Sequence, residues 1–267
     1  MTPGCSSPQG AATFRNVIAD LGLTSNLKLC LDAGDQSSYD GGTSWLDTSG
    51  NGYNFFLGAT GGAEASDPTF RGALGSGDAK NTHFSFDSNN YFRYDTTSEA
   101  WMNNIHKNNA VFTLCAWVDF GGTGTNSGIC GNNTGGITVG FHWRKATGES
   151  PMFVVTNGTG SVISVTMVAD VAAAGTYTFL AISLTEATGA SGCFMQCQST
   201  VETFTSTYTS PSAAAAGFTL DIGCGGNGSM RLPNNSRMSS FAAWEGTALS
   251  QASVNNIFNA TRGRHGV

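Results

Sequence analysis

The sequence predicts an all-β fold of antiparallel sheets, with a short helix at each end, and three observations carry that expectation. Only 11% of its 267 residues are charged, while 36 glycines and abundant Ser, Thr and Asn supply the turns that many short strands require. Apolar residues alternate with polar ones in short runs from Leu27 onward. Helical spacing appears clearly only near the two ends.

Thr13 is a candidate N-cap, and Phe14, Val17, Ile18 and Leu21 follow at helical spacing before Gly22, a candidate C′ residue. Residues 1–26 are therefore expected to form an N-terminal arm with a short amphipathic helix. Its apolar stripe either packs on the sandwich or serves assembly by docking on a neighbouring subunit. Residues 27–267 form the sandwich itself. Leu27, Leu29 and Leu31 share one face of its first strand.

After a glycine-rich hairpin region, His83-Phe84-Ser85-Phe86 and Tyr91-Phe92-Arg93-Tyr94 flank Asp87-Ser88-Asn89-Asn90 and read as strand, turn, strand. Further strands are expected at 110–120, 136–143, 152–156, 161–168 and 176–184, with Ile163, Val165 and Met167 on one face. Strands at 201–207, 218–224 and 237–244 complete the series, and 209–217 reads as an exposed loop. Ser250 can cap a closing helix whose apolar stripe is Val254, Ile257 and Phe258.

The 40% apolar content supports a sizeable core. A net charge of −6, with 12 Lys and Arg in no cluster of three, argues against a nucleic-acid partner. Met1 to Gly10 lacks the basic and apolar regions of a signal peptide. No apolar run approaches the roughly 18 residues of a membrane span. The expectation is a soluble chain made in a cytoplasm. Most of the seven cysteines sit in strand-like runs and are expected to be buried thiols rather than disulfides. Cys193 and Cys197 lack the second pair or nearby His that a zinc site needs.

Three stretches together resemble the laminin G-like branch of the concanavalin A-like lectin/glucanase superfamily. They are LCLDAGDQSSYDGGTSWLDTSGNGYN at 29–54, the run from FSFDSNNYFRY to FTLCAW between Phe84 and Trp117, and Ile222-Gly223 with the closing Met238 to Val267. The resemblance covers about Leu27 to Val267 and implies a concanavalin A-like two-sheet jelly roll. Within the first stretch, Asp47 can bond local amides, Ser49 to Gly52 tolerate positive φ, and Trp45 would cover one end of the core.

Glucanases of this superfamily use two glutamates close together on one strand, one as nucleophile and one as acid. Here Glu64, Glu99, Glu149, Glu186, Glu202 and Glu245 are scattered, and no Gly-x-Ser-x-Gly elbow is present. No catalytic residue is assigned, and the expectation is a protein that is not an enzyme. Calcium is the one cofactor the family makes conceivable, through Asp32 and Asp35, although capping of turns is the favoured reading of those residues. His142, Trp143 and Arg144 at a strand end are the best local candidates for stacking and hydrogen bonding a sugar. The five Asn-x-Ser/Thr sequons match what this Ser and Thr content gives by chance.

The resemblance to domains in phage structural proteins implies a virion component, a capsid decoration or fibre protein. Its partners would be capsid or other virion proteins or copies of itself, and its location the virion. The alternative is a carbohydrate-binding lectin-like module with a glycan partner. A glycan hydrolase ranks last.

Overall fold

The alternating run that opens the sandwich becomes β1 (Leu27–Asp32) in the computed structural model. The structure describes residues 12–94, 104–186 except 123 and 125, and 193–267 except 206. The signal-peptide reading of residues 1–10, Cys5 and Glu99 lie outside the described residues. So does the complete extent of the arm.

The strands that follow are β2 (Ser44–Trp45), β3 (Phe55–Leu57), β4 (Thr69–Arg71), β5 (His83–Ser85) and β6 (Phe92–Tyr94). Next come β7 (Val111–Asp119), β8 (Ser127–Gly131), β9 (Gly140–Lys145), β10 (Pro151–Thr156), β11 (Ser161–Thr166) and β12 (Thr178–Thr185). The last are β13 (Phe194–Cys197), β14 (Thr200–Thr203), β15 (Asp221–Ile222) and β16 (Arg237–Glu245). The first sheet runs β14-β13-β12-β7-β16-β5-β4, with β1 also on β16; the second runs β11-β10-β9-β8-β15-β6-β3-β2. Every strand pair is antiparallel. The molecule is a two-sheet β-sandwich.

The period of two sorts each strand's side chains between layers. Leu29, Leu31, Leu114, Ala116, Phe241 and Ala243 point into the core between the sheets. Their neighbours Cys30, Cys115, Trp117, Ala242 and Trp244 point outward and build a second apolar layer. Two helices, α1 (Phe14–Asp20) and α2 (Gln251–Thr261), cover that layer with Phe14, Ile18, Val254, Ile257 and Phe258. The end helices are therefore a third layer of the fold.

Both caps form as the sequence indicates: the Thr13 hydroxyl accepts from the Asn16 amide at 3.2 Å and the Ser250 hydroxyl from the Ser253 amide at 3.1 Å. Asp47 accepts hydrogen bonds from the amides of Cys30, Ser49, Gly52 and Tyr53. It ties the turn to β1, while Trp45 is fully buried against Phe84 and Phe92. The six described cysteines are all buried.

The expected strand, turn, strand around Asp87 to Asn90 forms as β5 and β6, which lie in different sheets, so the turn crosses between layers. The structure corrects the sequence reading in three places. The expected strand at 136–143 begins only at Gly140, and that at 218–224 shrinks to two residues before Gly223 turns at φ 82°. The glycine-rich β8 carries no alternating signal. A Cβ at Gly128 would stand 2.5 Å from the Cys224 carbonyl carbon, so close backbone approach selects glycine there.

Candidate functional site

Of the proposed sugar-binding trio on β9, Trp143 is fully buried within the core between the sheets. Both faces of its ring are enclosed by protein, so it cannot stack on a sugar, and that expectation is corrected. His142 and Arg144 point to the opposite face of the second sheet; His142 is buried and Arg144 half-buried. The trio is thus split between two surfaces.

The apolar stripe of α1 is likewise internal. Phe14, Val17 and Ile18 are buried and Leu21 packs partly against the same cluster, leaving no apolar face for a neighbouring subunit. Packing on the sandwich is the outcome.

Asp32 is buried and accepts from the Phe14 amide at 2.7 Å, the Gly34 amide at 3.0 Å and Arg264 Nη2 at 2.8 Å. Asp35 accepts from the Ser37 amide at 2.8 Å, an ordinary turn contact. Asp32 therefore acts as an anchor for α1 and the C-terminus, and its oxygens are engaged. Among the described residues no three His, Cys, Asp or Glu side chains gather as metal ligands.

Each described glutamate also has a local partner. Glu64 accepts from Thr60, Glu149 pairs with Lys145 and Glu245 accepts from Asn104. Glu186 accepts from the amides of Asn109 and Tyr208, and Glu202 from those of Val168 and Ala169.

The principal cleft lies where the edge strands β4 and β5 meet the start of β16, on the outer side of the first sheet, and measures about 630 Å³. The polar-apolar-polar triplets Thr69-Phe70-Arg71 and His83-Phe84-Ser85 pair in register, so Phe84 enters the core while Arg71, His83 and Ser85 line the cleft. The turns at Phe86 to Asn90 and Asn234 to Ser236 form its walls. Two backbone bonds lock them together, Phe86 N to Ser236 O and Asn235 N to Phe86 O, both 2.9 Å. A Cβ at Gly121, φ 51°, would meet the Asn235 carbonyl carbon at 2.3 Å, which explains a glycine behind that wall.

Arg237 is fixed at the cleft floor. Its Nε and Nη2 donate to Asp119 Oδ2 at 2.8 and 2.5 Å, and Nη2 also reaches the Gly175 carbonyl at 2.9 Å. Burial, reinforced by Arg237, lowers the His83 pKa to about 4, so the ring is neutral at neutral pH. Its Nδ1 has no protein partner. Arg71 Nε donates to Ser85 Oγ at 3.4 Å, and the side chain is exposed. The cleft thus offers guanidinium and imidazole groups, with the asparagines of the 234–236 turn, above a phenylalanine edge. Sequence reasoning missed it because its residues come from three separate segments, 69–71, 83–90 and 234–237. The only local signal was the polar-Phe-polar pattern of the two triplets.

No protein-family model matches the chain, and no curated protein matches it in sequence. Solved structures match the fold. Domain 4 of AbnA, a GH43 extracellular arabinanase from Geobacillus stearothermophilus in complex with arabinotriose, aligns at TM-score 0.57 and 12% identity, over 87% of this chain and 98% of that one. The binding domain of botulinum neurotoxin DC in complex with SialylT aligns at TM-score 0.53 and 12% identity, over 89% of this chain and 52% of that one. A botulinum neurotoxin type C structure, described with dependence of cell entry on two ganglioside molecules, aligns at TM-score 0.58 and 12% identity. It is matched over 90% of this chain and 52% of that one, so the chain spans about half the length of either neurotoxin chain. At these identities the likeness concerns the fold.

Proposed function

We propose that this sandwich is a non-catalytic, lectin-like module that binds a glycan in the cleft between β4, β5 and β16. The cleft carries the reading: it is large enough for several sugar rings, rigid at its floor, and lined by groups suited to paired hydroxyls. A neutral His83 accepts or donates one hydrogen bond, Arg71 and the asparagine amides donate, and Asp87 in the cleft wall adds an acceptor carboxylate. The neighbouring structures support the same class, since one holds arabinotriose and another is described with gangliosides. They lend no comparable support to a virion structural role, and the helix face that motivated assembly is packed within the chain.

A glycan array probed with the purified chain at pH 7 tests this. The expected result is a small group of related glycans bound, with no change in their length on prolonged incubation. A blank array of neutral and acidic glycans would sink the reading, and product formation abolished by a single Glu→Gln change would turn it toward a hydrolase.

A further inference from the structure

The outer face of the second sheet holds a cation with no counter-charge among the described residues. Arg144 stands opposite Met152 on β10 and Gly128 on β8. Its Nη1 lies 3.4 Å from Met230 Sδ and its Nη2 3.4 Å from Met152 Sδ. Thioether sulfurs are weak acceptors. Nε is buried and has no partner, and none of the four ion pairs among the described residues includes Arg144. Burial accordingly lowers its pKa from the usual arginine value.

Two residues away on the same face, His142 is 2% exposed and neither ring nitrogen has a partner. Burial, aided by Arg144, takes its pKa to about 3, so it is a neutral ring with one donor and one acceptor nitrogen. Met230, whose sulfur meets the Arg144 guanidinium, holds a left-handed conformation, φ 48°. Cβ atoms at Gly135 and Gly225 would come within 2.7 and 2.5 Å of its Sδ and Cε, so both glycines make room for the thioether. Methionine is a flexible filler that gives way easily.

A desolvated guanidinium without an oxygen acceptor is costly to a fold and gains most from an anion. We propose that Arg144 and His142 form a second binding site, for the carboxylate of an acidic sugar, which replaces the two sulfurs at the guanidinium. The planar fork of Arg144 matches a carboxylate bidentately. His142, with both ring nitrogens unpartnered, matches the hydroxyl next to it. The site lies on the opposite sheet from the neutral-sugar cleft and stands or falls separately from it.

The test is calorimetric titration at pH 7 with trigalacturonate and its neutral methyl ester, on the wild-type chain, Arg144→Gln, Arg144→Lys and Arg71→Ala. Trigalacturonate should bind wild type and Arg71→Ala alike, about tenfold or more weaker to Arg144→Gln, and in between to Arg144→Lys. The methyl ester should not distinguish wild type from Arg144→Gln. Ligand-free Arg144→Gln should melt no lower than wild type, because it removes an unpaired buried cation, and this separates lost binding from lost folding. Equal trigalacturonate binding by Arg144→Gln, or none by wild type, overturns the site even if neutral glycans bind the cleft. Affinity that follows Arg71 instead moves the acidic sugar to the cleft and overturns this proposal alone.

Discussion

Buried histidines give the molecule a pH signature that its composition hides. His265 stacks on Trp117 at a centroid distance of 4.0 Å, donates from Nδ1 to the Thr261 carbonyl, accepts at Nε2 from the Ser239 hydroxyl, and has its pKa lowered to about 3 by burial. His142 behaves likewise, near 3. In the unfolded chain both titrate near 6.5, so the unfolded state binds protons first as the solution is acidified. Their stabilising contribution is complete above about pH 6.5 and falls toward pH 3, by about 1.4 kcal/mol per pH unit for each. The melting temperature should therefore drop steadily from pH 7 to pH 4, and less steeply in His265→Gln. A flat profile would contradict the burial of these rings. The thiols make a parallel point: burial raises Cys30, Cys115 and Cys130, and takes Cys197 to about 12. Ellman's reagent should label at most one thiol quickly in the native chain and all seven after denaturation.

The helices act on stability rather than on association. Phe14 and Ile18 of α1 pack with Phe258 of α2 on the outer face of the first sheet, and the first amide of α1 bonds Asp32. Phe14→Ala should cost about 3–5 kcal/mol in denaturant unfolding and leave the mass on size exclusion unchanged. A changed mass with unchanged stability would restore the assembly role. Which elements could be read from sequence follows from their physics. β7 alternates along its length, β1 and β16 do so beyond one bulge each, which turns Leu27 outward although the sequence puts it on the face of Leu29 and Leu31, and both helices carry caps and stripes. β8 was hidden because backbone crowding selects glycines, and β4 because three residues hold no period. At the sites, His142 and Arg144 could be picked out as polar groups on a strand, but which side of the sheet Trp143 faces is decided by register. Arg71, His83 and Asn234 converge only through tertiary pairing.

At the scale of the whole molecule, three layers divide the labour. The helices seal one part of the first sheet, the two sheets share the main core, and the uncovered part of the first sheet at β4, β5 and β16 is left as a polar cleft. Arg237 and Asp119 make the floor rigid, so a ligand meets preorganised donors and loses little to reordering. Neighbouring sandwiches with bound or associated glycans share this architecture without sharing sequence. The most direct measurement is the affinity of the best array glycan for Arg71→Ala and Asn234→Ala, each checked for an unchanged melting temperature. The cleft account predicts a loss of about five- to fiftyfold in each variant. Wild-type affinity in both would contradict it.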